Sequence, residues 1–404
     1  MNRYTINVKY FVYLSLLGYM ILEPIKAYFS SIDNIAYASS IVGYIKILKY
    51  ICVAIGVLAT ALDFIYRNIR NQRRIKNNLF YFEFSQLIIV ILAFSLISVF
   101  YILKSHKSTP NTIQELLQLI IPAGIAFMVI NYLSFREIYN LFSFGLIYSL
   151  IFYFFTIGPY LFNFSYLIRL NLFDSTSSVF EVHEFAVFAN AYIAFFTYFR
   201  KKSRLLFVIA FIYNLLTFKR VYVLFSIVFL LLSVLKKDNI KIKRHVVVIS
   251  KIMTIVLTIG FHYFLQPENW VAFEKIFHVS IGKLTMYRSN RIQSYLVGFQ
   301  SYGFGSVNNE VLRGYLELDL IKILMETSII GLVIFVSCYW NLTGLNLFCY
   351  FIVLNQFINM FFSWTLGRPY KWAIILITIG CIIYKKRNQD VKSLLLFRGV
   401  SKKG

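Results

Sequence analysis

The feature that most constrains this chain is a succession of apolar runs separated by short clusters of Lys, Arg and Asn. An α-helix needs roughly 20 predominantly apolar residues to cross the roughly 30 Å of a bilayer's hydrocarbon core. Residues 87–103 and 246–265, for example, meet or approach that length. Backbone N–H and C=O groups in lipid must be hydrogen-bonded within the protein, so we expect these runs to be helices.

The apolar runs predict about twelve membrane-spanning helices. We therefore expect an all-α polytopic membrane protein in which residues 1–404 form a single integral membrane domain. The predicted spans are residues 10–29, 41–66, 84–103, 116–133, 138–157, 184–199, 205–218, 221–235, 246–265, 320–340, 345–362 and 372–384.

The basic residues predict the orientation. An even number of spans places both termini on one side, and the connections on that side carry the Lys and Arg clusters at residues 67–76, 200–204, 236–244 and 385–387. Short cytoplasmic loops concentrate Lys and Arg in this way, so both termini are predicted to be cytoplasmic. The net charge of +24 then reflects membrane topology, and no nucleic-acid partner is expected.

Two connections on the opposite side are long, and we expect the chemistry of the protein there. Residues 159–183 form the first and residues 266–319 the second, which is rich in aromatic and basic residues. The four cysteines lie inside apolar runs without a Cys-x-x-Cys pair, and no nucleotide-binding motif or metal-ligand cluster is present. No cofactor or metal is therefore expected.

Several basic residues on the outer side are candidates for binding an anion. Lys219 and Arg220 interrupt two apolar runs and are predicted to lie at the outer mouth of a helical hairpin. Arginine presents a planar fork that matches paired phosphate oxygens. Attraction to lipid head groups explains the same residues without a ligand. The arginines in the long loops are Arg169, Arg288, Arg291 and Arg313, the last three near the segment Gly303-Phe304-Gly305.

Three residues are candidates for a general base. Asp319 and Glu326 lie on one face of a predicted helix, about 10 Å apart along its axis. Lys322 lies within one turn of each, so an ion-pair ladder along the helix is the structural alternative. His183 opens the sixth predicted span, and imidazole is the side chain most often used as a general base. The sequence leaves the choice among these three residues open.

Three motifs resemble the O-antigen and capsular polysaccharide polymerases of the Wzy type, which share a superfamily with the O-antigen ligases. Leu215-Leu216-Thr217-Phe218-Lys219-Arg220 before an apolar run is similar to a family segment in which an arginine starts a span at the outer face. Arg288-Ser289-Asn290-Arg291 followed by Gly303-Phe304-Gly305 resembles the arginine and Gly-x-Gly pattern of the large outer loop. Asp319, Leu324-Met325-Glu326 and Gly331 resemble the polar start, Leu-x-Glu and Gly of the following span.

The resemblance implies a GT-C-like fold and a metal-independent glycosyltransferase that joins undecaprenyl-diphosphate-linked repeat units at the periplasmic face of the inner membrane. It implies diphosphate binding by Arg220, Arg288 and Arg291, with Arg169 and Arg313 as further candidates, and a base among Asp319, Glu326 and His183. Its partners would be the lipid-linked glycan donor and acceptor, membrane lipids, a chain-length regulator and a flippase. The alternatives are a polysaccharide flippase or other transporter, and an O-antigen ligase.

Overall fold

The computed structural model describes residues 3–31, 35–69, 79–107, 110–161, 182–235, 240–285, 289–290, 299–310 and 316–400. Within these ranges the regular elements are helices, joined by one 3-10 turn and one isolated antiparallel bridge between Lys241 and Asn346. The expected all-α fold class is confirmed for this part of the chain. The α-helices are α1 (Arg3–Ser30), α2 (Ile35–Ile69), α3 (Tyr81–Ser105), α4 (Pro110–Tyr132), α5 (Phe135–Leu161), α6 (His183–Tyr198), α7 (Arg204–Leu216), α8 (Arg220–Val234), α9 (Arg244–Leu265), α10 (Trp270–Phe277), α11 (Ile281–Leu284), α12 (Ser306–Glu310), α13 (Asp319–Asn341), α14 (Leu347–Phe362) and α15 (Pro369–Val400).

Seven helices are long and apolar enough to cross a membrane, counted over the described residues. They are α1 to α5, α9 and α13. Four of the other five predicted spans coincide with shorter helices: α7 has 13 residues, α8 has 15, and α6 and α14 have 16 each. The fifth, residues 372–384, lies in α15, whose apolar part is Pro369–Tyr384. The chain therefore has the helices of a multi-pass membrane protein, and each of the predicted apolar runs is helical.

Large apolar side chains are exposed along several of the long helices. Leu62 of α2 and Leu96 of α3 are 66% and 70% exposed, and similar residues line α9. By contrast, every residue of α6 from Phe185 to Thr197 is buried. Continuous apolar surface is unusual on a soluble protein but is what lipid tails require. The long helices thus present lipid-compatible faces, while α6 is enclosed by other helices.

The chain divides into two compact units. Unit 1 consists of Met1–Tyr81, Pro122–Asp238 and Tyr370–Gly404, and unit 2 of Phe82–Ile121 and Asn239–Pro369. In unit 1, α1 packs along α2, and α6 packs against α5, α7 and α8. In unit 2, α9 packs along α13, which also contacts α14.

A buried ion pair joins the first two helices of unit 1. Lys49 Nζ lies 2.7 Å from Glu23 Oε2, and Lys26 Nζ lies 3.3 Å from Glu23 Oε1. Glu23 and Lys49 are 4% and 2% exposed. A charge at this depth is tolerated because its partner is in hydrogen-bond contact, so the pair fixes the register of α1 against α2.

Candidate functional site

A tight turn between α7 and α8 positions the basic residues of unit 1. Phe218 adopts a left-handed conformation (φ 52°) and Lys219 an extended one, so α8 begins at Arg220 with only three residues between it and the end of α7. The Asn214 side-chain amide donates to the Tyr222 carbonyl at 3.0 Å and ties the two helices together. Lys219 and Arg220 therefore occupy the N-terminal end of α8.

Three helix N-termini meet around Lys219. Its Nζ lies 3.4 Å from Nδ1 of His183, the first residue of α6, and 4.9 Å from the centre of the Tyr222 ring. Nζ of Lys371, in the first turn of α15, lies 5.3 Å from the centre of the same ring. The N-terminus of a helix carries a partial positive charge and attracts anions. We call His183, Lys219, Arg220, Tyr222 and Lys371 the basic site.

The residues of the basic site differ in exposure. Arg220 is exposed, His183 and Lys219 are half-buried, and Lys371 is 0% exposed. Tyr370, the neighbour of Lys371 in sequence, packs on Phe188 with 4.8 Å between ring centres, and its hydroxyl lies 2.6 Å from that of Tyr192. The site thus brings basic side chains together around the Tyr222 ring, and such a group of cations suits a phosphate-bearing ligand.

Unit 2 contains a separate group of buried charges, which we call the carboxylate-lysine cluster: Glu115 of α4 with Lys322 and Glu326 of α13. Lys322 Nζ lies 2.8 Å from Glu115 Oε2. The amide of Asn308 donates to Glu115 Oε1 at 2.5 Å. The N–H of Val307 donates to Glu326 Oε1 at 2.8 Å. The three charged residues are at most 4% exposed.

The glycines of Gly303-Phe304-Gly305 pack closely against other parts of unit 2. Gly303 and Gly305 have φ of 118° and 94°, a conformation that favours glycine. A Cβ on Gly303 would lie 3.0 Å from Cβ of Ser98, whose hydroxyl accepts the Phe304 N–H at 2.9 Å. Local packing therefore accounts for these glycines without a ligand.

Asp319 holds the turn between α14 and α15. Its Oδ2 accepts the N–H groups of Thr365 and Leu366, both at 2.6 Å, and the Thr365 hydroxyl at 3.1 Å. The same turn carries Arg368, whose guanidinium lies 4.3 Å from the centre of the Trp364 ring. Asp319 is 0% exposed. Its geometry is that of a structural acceptor for backbone donors.

The predicted site residues are distributed over both units. His183 and Arg220 belong to unit 1, where the basic site brings them together, and Asp319 and Glu326 belong to unit 2. The ion pair recorded for Lys322 is with Glu115 of another helix, in place of the expected ladder along α13. The predictions for four arginines fall outside the described residues: Arg169, Arg288, Arg291 and Arg313.

Sequence reasoning missed Glu115 and Lys371. Each stands one position before a predicted span, those of residues 116–133 and 372–384. The useful signal was a charged residue at the edge of an apolar run, since such residues face protein or water. Among the residues described by the structure, no group of three or more His, Cys, Asp or Glu is placed to hold a metal ion.

No protein-family model matches the chain. No curated protein and no solved structure has significant similarity to it. The function is therefore argued from the residues and their geometry.

Proposed function

We propose that this protein is a polysaccharide polymerase of the O-antigen type, a metal-independent glycosyltransferase that joins undecaprenyl-diphosphate-linked repeat units at the periplasmic face of the bacterial inner membrane. The observation that carries the proposal is the basic site, where cations and three helix N-termini come together. The sequence motifs that resemble the Wzy-type polymerases, one of which ends in Lys219-Arg220, support the same reaction.

The basic site suits the leaving group of this reaction. The acceptor hydroxyl oxygen bonds to the anomeric carbon of the donor glycan, and the bond from that carbon to the diphosphate breaks. Undecaprenyl diphosphate leaves with the electron pair and with added negative charge. Arg220, Lys219 and Lys371 would stabilise that charge together with the helix dipoles.

The hydroxyl proton must pass to a base. His183 is the candidate that belongs to the basic site, where its Nδ1 lies 3.4 Å from Lys219 Nζ. An imidazole nitrogen in its neutral form accepts a proton at neutral pH. Asp319 is already engaged by three hydrogen-bond donors, which makes it the weaker candidate. We therefore favour His183 as the base.

The proposed architecture has twelve spans, a GT-C-like arrangement and two enlarged periplasmic loops, with both termini cytoplasmic. The 13 residues of α7 extend about 20 Å, less than the roughly 30 Å of hydrocarbon. The turn at Lys219 would then lie below the outer surface of the membrane. At that depth water is scarce, and electrostatic stabilisation of a diphosphate becomes stronger.

The proposed partners are the lipid-linked glycan donor and acceptor, together with membrane lipids, a chain-length regulator and a flippase. A basic site open at Arg220 and closed at Lys371 is compatible with a lipid diphosphate that enters from the side of α8. Two lipid-linked substrates also require apolar surface, and the exposed faces of the long helices supply it.

A transporter, including a polysaccharide flippase, is the second candidate because α13 is interrupted. Ser328 has φ 60° and ψ −176°, which breaks the helix within a candidate span. Secondary transporters use interrupted helices of this kind to bind substrates and ions. Such a break next to buried charges is the specific observation that favours transport.

The test compares surface glycan from cells that lack the protein with cells that carry Arg220→Ala. Removing one preorganised cationic donor from a site of charge development costs about 100-fold or more in rate. We expect the glycan ladder on a gel to collapse to one repeat per anchor while the membrane abundance of the protein stays normal.

Arg204→Ala is the matched control. Arg204 is also an exposed first residue of a helix, but it begins α7 at the end remote in sequence from the basic site. This variant should retain the full ladder. Complete loss of glycan from its anchor in the deletion strain would point to a flippase or ligase, and an unchanged ladder in Arg220→Ala would refute the polymerase proposal.

A further inference from the structure

The carboxylate-lysine cluster has an uneven charge count. Glu115, Lys322 and Glu326 are 4%, 1% and 0% exposed, so all three are removed from water. If every group were ionised, the cluster would carry one uncompensated negative charge. An isolated carboxylate in a low-dielectric interior costs far more than a neutral carboxyl group. The charge count alone therefore calls for one additional positive charge.

Both carboxylate oxygens of Glu115 have a hydrogen-bond donor. Its Oε2 accepts from Lys322 Nζ at 2.8 Å, and its Oε1 accepts from the Asn308 amide at 2.5 Å. The Lys322 ammonium group also lies 5.1 Å from the centre of the Phe304 ring, a favourable contact for a cation. The single lysine of the cluster is thus committed to Glu115 in this arrangement.

Glu326 has the opposite environment. Its Oε1 accepts the Val307 N–H at 2.8 Å, and the Gly305 backbone also donates a hydrogen bond to the carboxyl group. Its Oε2 is buried and has no hydrogen-bond partner among the described residues. The charged groups that reach Glu326 from the elements packed around it are Lys322 of its own helix and Glu115 of α4. With Oε2 unpaired, these neutral donors do not compensate a buried negative charge, whereas they are sufficient for a protonated carboxyl group.

Asp319 begins the same helix, but we do not include it in the charge count of the carboxylate-lysine cluster. Two backbone N–H groups and the Thr365 hydroxyl donate to its Oδ2. It also occupies the first turn of α13, where the helix dipole favours a negative charge. Its Oδ1, like Oε2 of Glu326, is buried without a hydrogen-bond partner among the described residues, but three donors on Oδ2 distinguish its environment from that of Glu326.

We propose that the carboxylate-lysine cluster is a proton-binding site that holds one proton, placed on Oε2 of Glu326 in the arrangement observed. The proton brings the three residues to a net charge of zero. Lys322 and Glu326 are four positions apart on α13, a spacing that allows them to pair. The proton can therefore move from Glu326 to Glu115 as Lys322 moves its ammonium group from Glu115 to Glu326, with no change in net charge.

The proton site lies beside the break in α13. The helix is interrupted at Ser328, and the Glu326 carbonyl accepts a hydrogen bond from the Ser301 hydroxyl at 2.7 Å. Movement of the Lys322 ammonium group between Glu115 and Glu326 would thus take place in the turn of α13 that precedes the break at Ser328. This inference is independent of the proposed polymerase function, because it uses other residues and concerns a different ligand.

The test is infrared difference spectroscopy of the purified full-length protein in lipid nanodiscs at neutral pH. A protonated carboxyl group has a C=O stretching band that an ionised one lacks. We expect the wild-type protein to show this band and Glu326→Gln to lose it. Glu115→Gln should lose the same band, because the remaining carboxylate then pairs with Lys322. Gln resembles a protonated Glu in shape, so both variants should fold.

Glu137→Gln is the control, because Glu137 lies in a partly exposed ion pair, 2.7 Å from Lys9. This variant should keep the band. Lys322→Met should approximately double the band, since two buried acids then lack a cation. If the band is absent from the wild-type protein, or persists at full intensity in both Glu326→Gln and Glu115→Gln, the cluster does not hold a proton and the proposal is wrong.

Discussion

Lys322→Met is expected to reduce the free energy of unfolding by about 3–5 kcal/mol at neutral pH. The substitution removes the ammonium group that lies 2.8 Å from Glu115 Oε2 and leaves that acid buried without its cation. Methionine fills a similar volume, so the loss reports on charge more than on packing. The measurement is SDS-induced unfolding of the purified protein in mixed micelles.

Two further variants separate the charge effect from other causes. Adding Glu115→Gln to Lys322→Met should recover most of the lost stability, because it removes the second buried acid, which must take up a proton to stay folded without its cation. Lys283→Met, at an exposed lysine of the same unit, should change stability by no more than about 0.5 kcal/mol. Equal losses for Lys322→Met and Lys283→Met would show that the buried ion pair contributes nothing specific.

The positions of the helices could be predicted from the sequence because hydropathy and helix formation in lipid are physically linked. The first and last residues of the helices could not be predicted. The second apolar run covers residues 41–66, whereas α2 extends over Ile35–Ile69. The fifth covers residues 138–157, whereas α5 extends over Phe135–Leu161. Hydropathy detects only the part of a helix that suits lipid, while backbone hydrogen bonds continue into the polar flanks.

The partner of Lys322 could not be predicted in the same way. Asp319 and Glu326 are its nearest acids in sequence and lie at helical spacing, which made a ladder along α13 the expected arrangement. The structure uses Asp319 to hold the turn at Thr365 and gives Glu326 the Val307 N–H. Lys322 instead pairs with a residue from α4. Tertiary packing decides such pairings, and a single sequence does not contain that information.

The basic site was predicted only in part. Lys219, Arg220 and His183 stood out because charged or polar residues interrupted or opened apolar runs. That His183 and Lys219 approach within 3.4 Å depends on how α6 packs against α8. The addition of Lys371 depends on α15, which is distant in sequence. The residue types were therefore visible in the sequence, whereas their assembly into one site was not.

Asp319→Leu is expected to reduce the free energy of unfolding by about 3–5 kcal/mol, because the N–H groups of Thr365 and Leu366 lose a shared buried acceptor. Asp319→Asn keeps an acceptor oxygen and should lose much less. Unfolding in mixed micelles measures both, with Glu268→Leu as an exposed acidic control in the same unit.

The Asn variant also decides whether Asp319 does chemistry. An amide accepts hydrogen bonds but does not act as a general base. If Asp319 serves only to hold the turn between α14 and α15, Asp319→Asn at normal membrane abundance should preserve the glycan ladder. A ladder that collapses to one repeat per anchor in that variant, with stability largely retained, would instead make Asp319 the base and leave His183 a neighbour of the diphosphate.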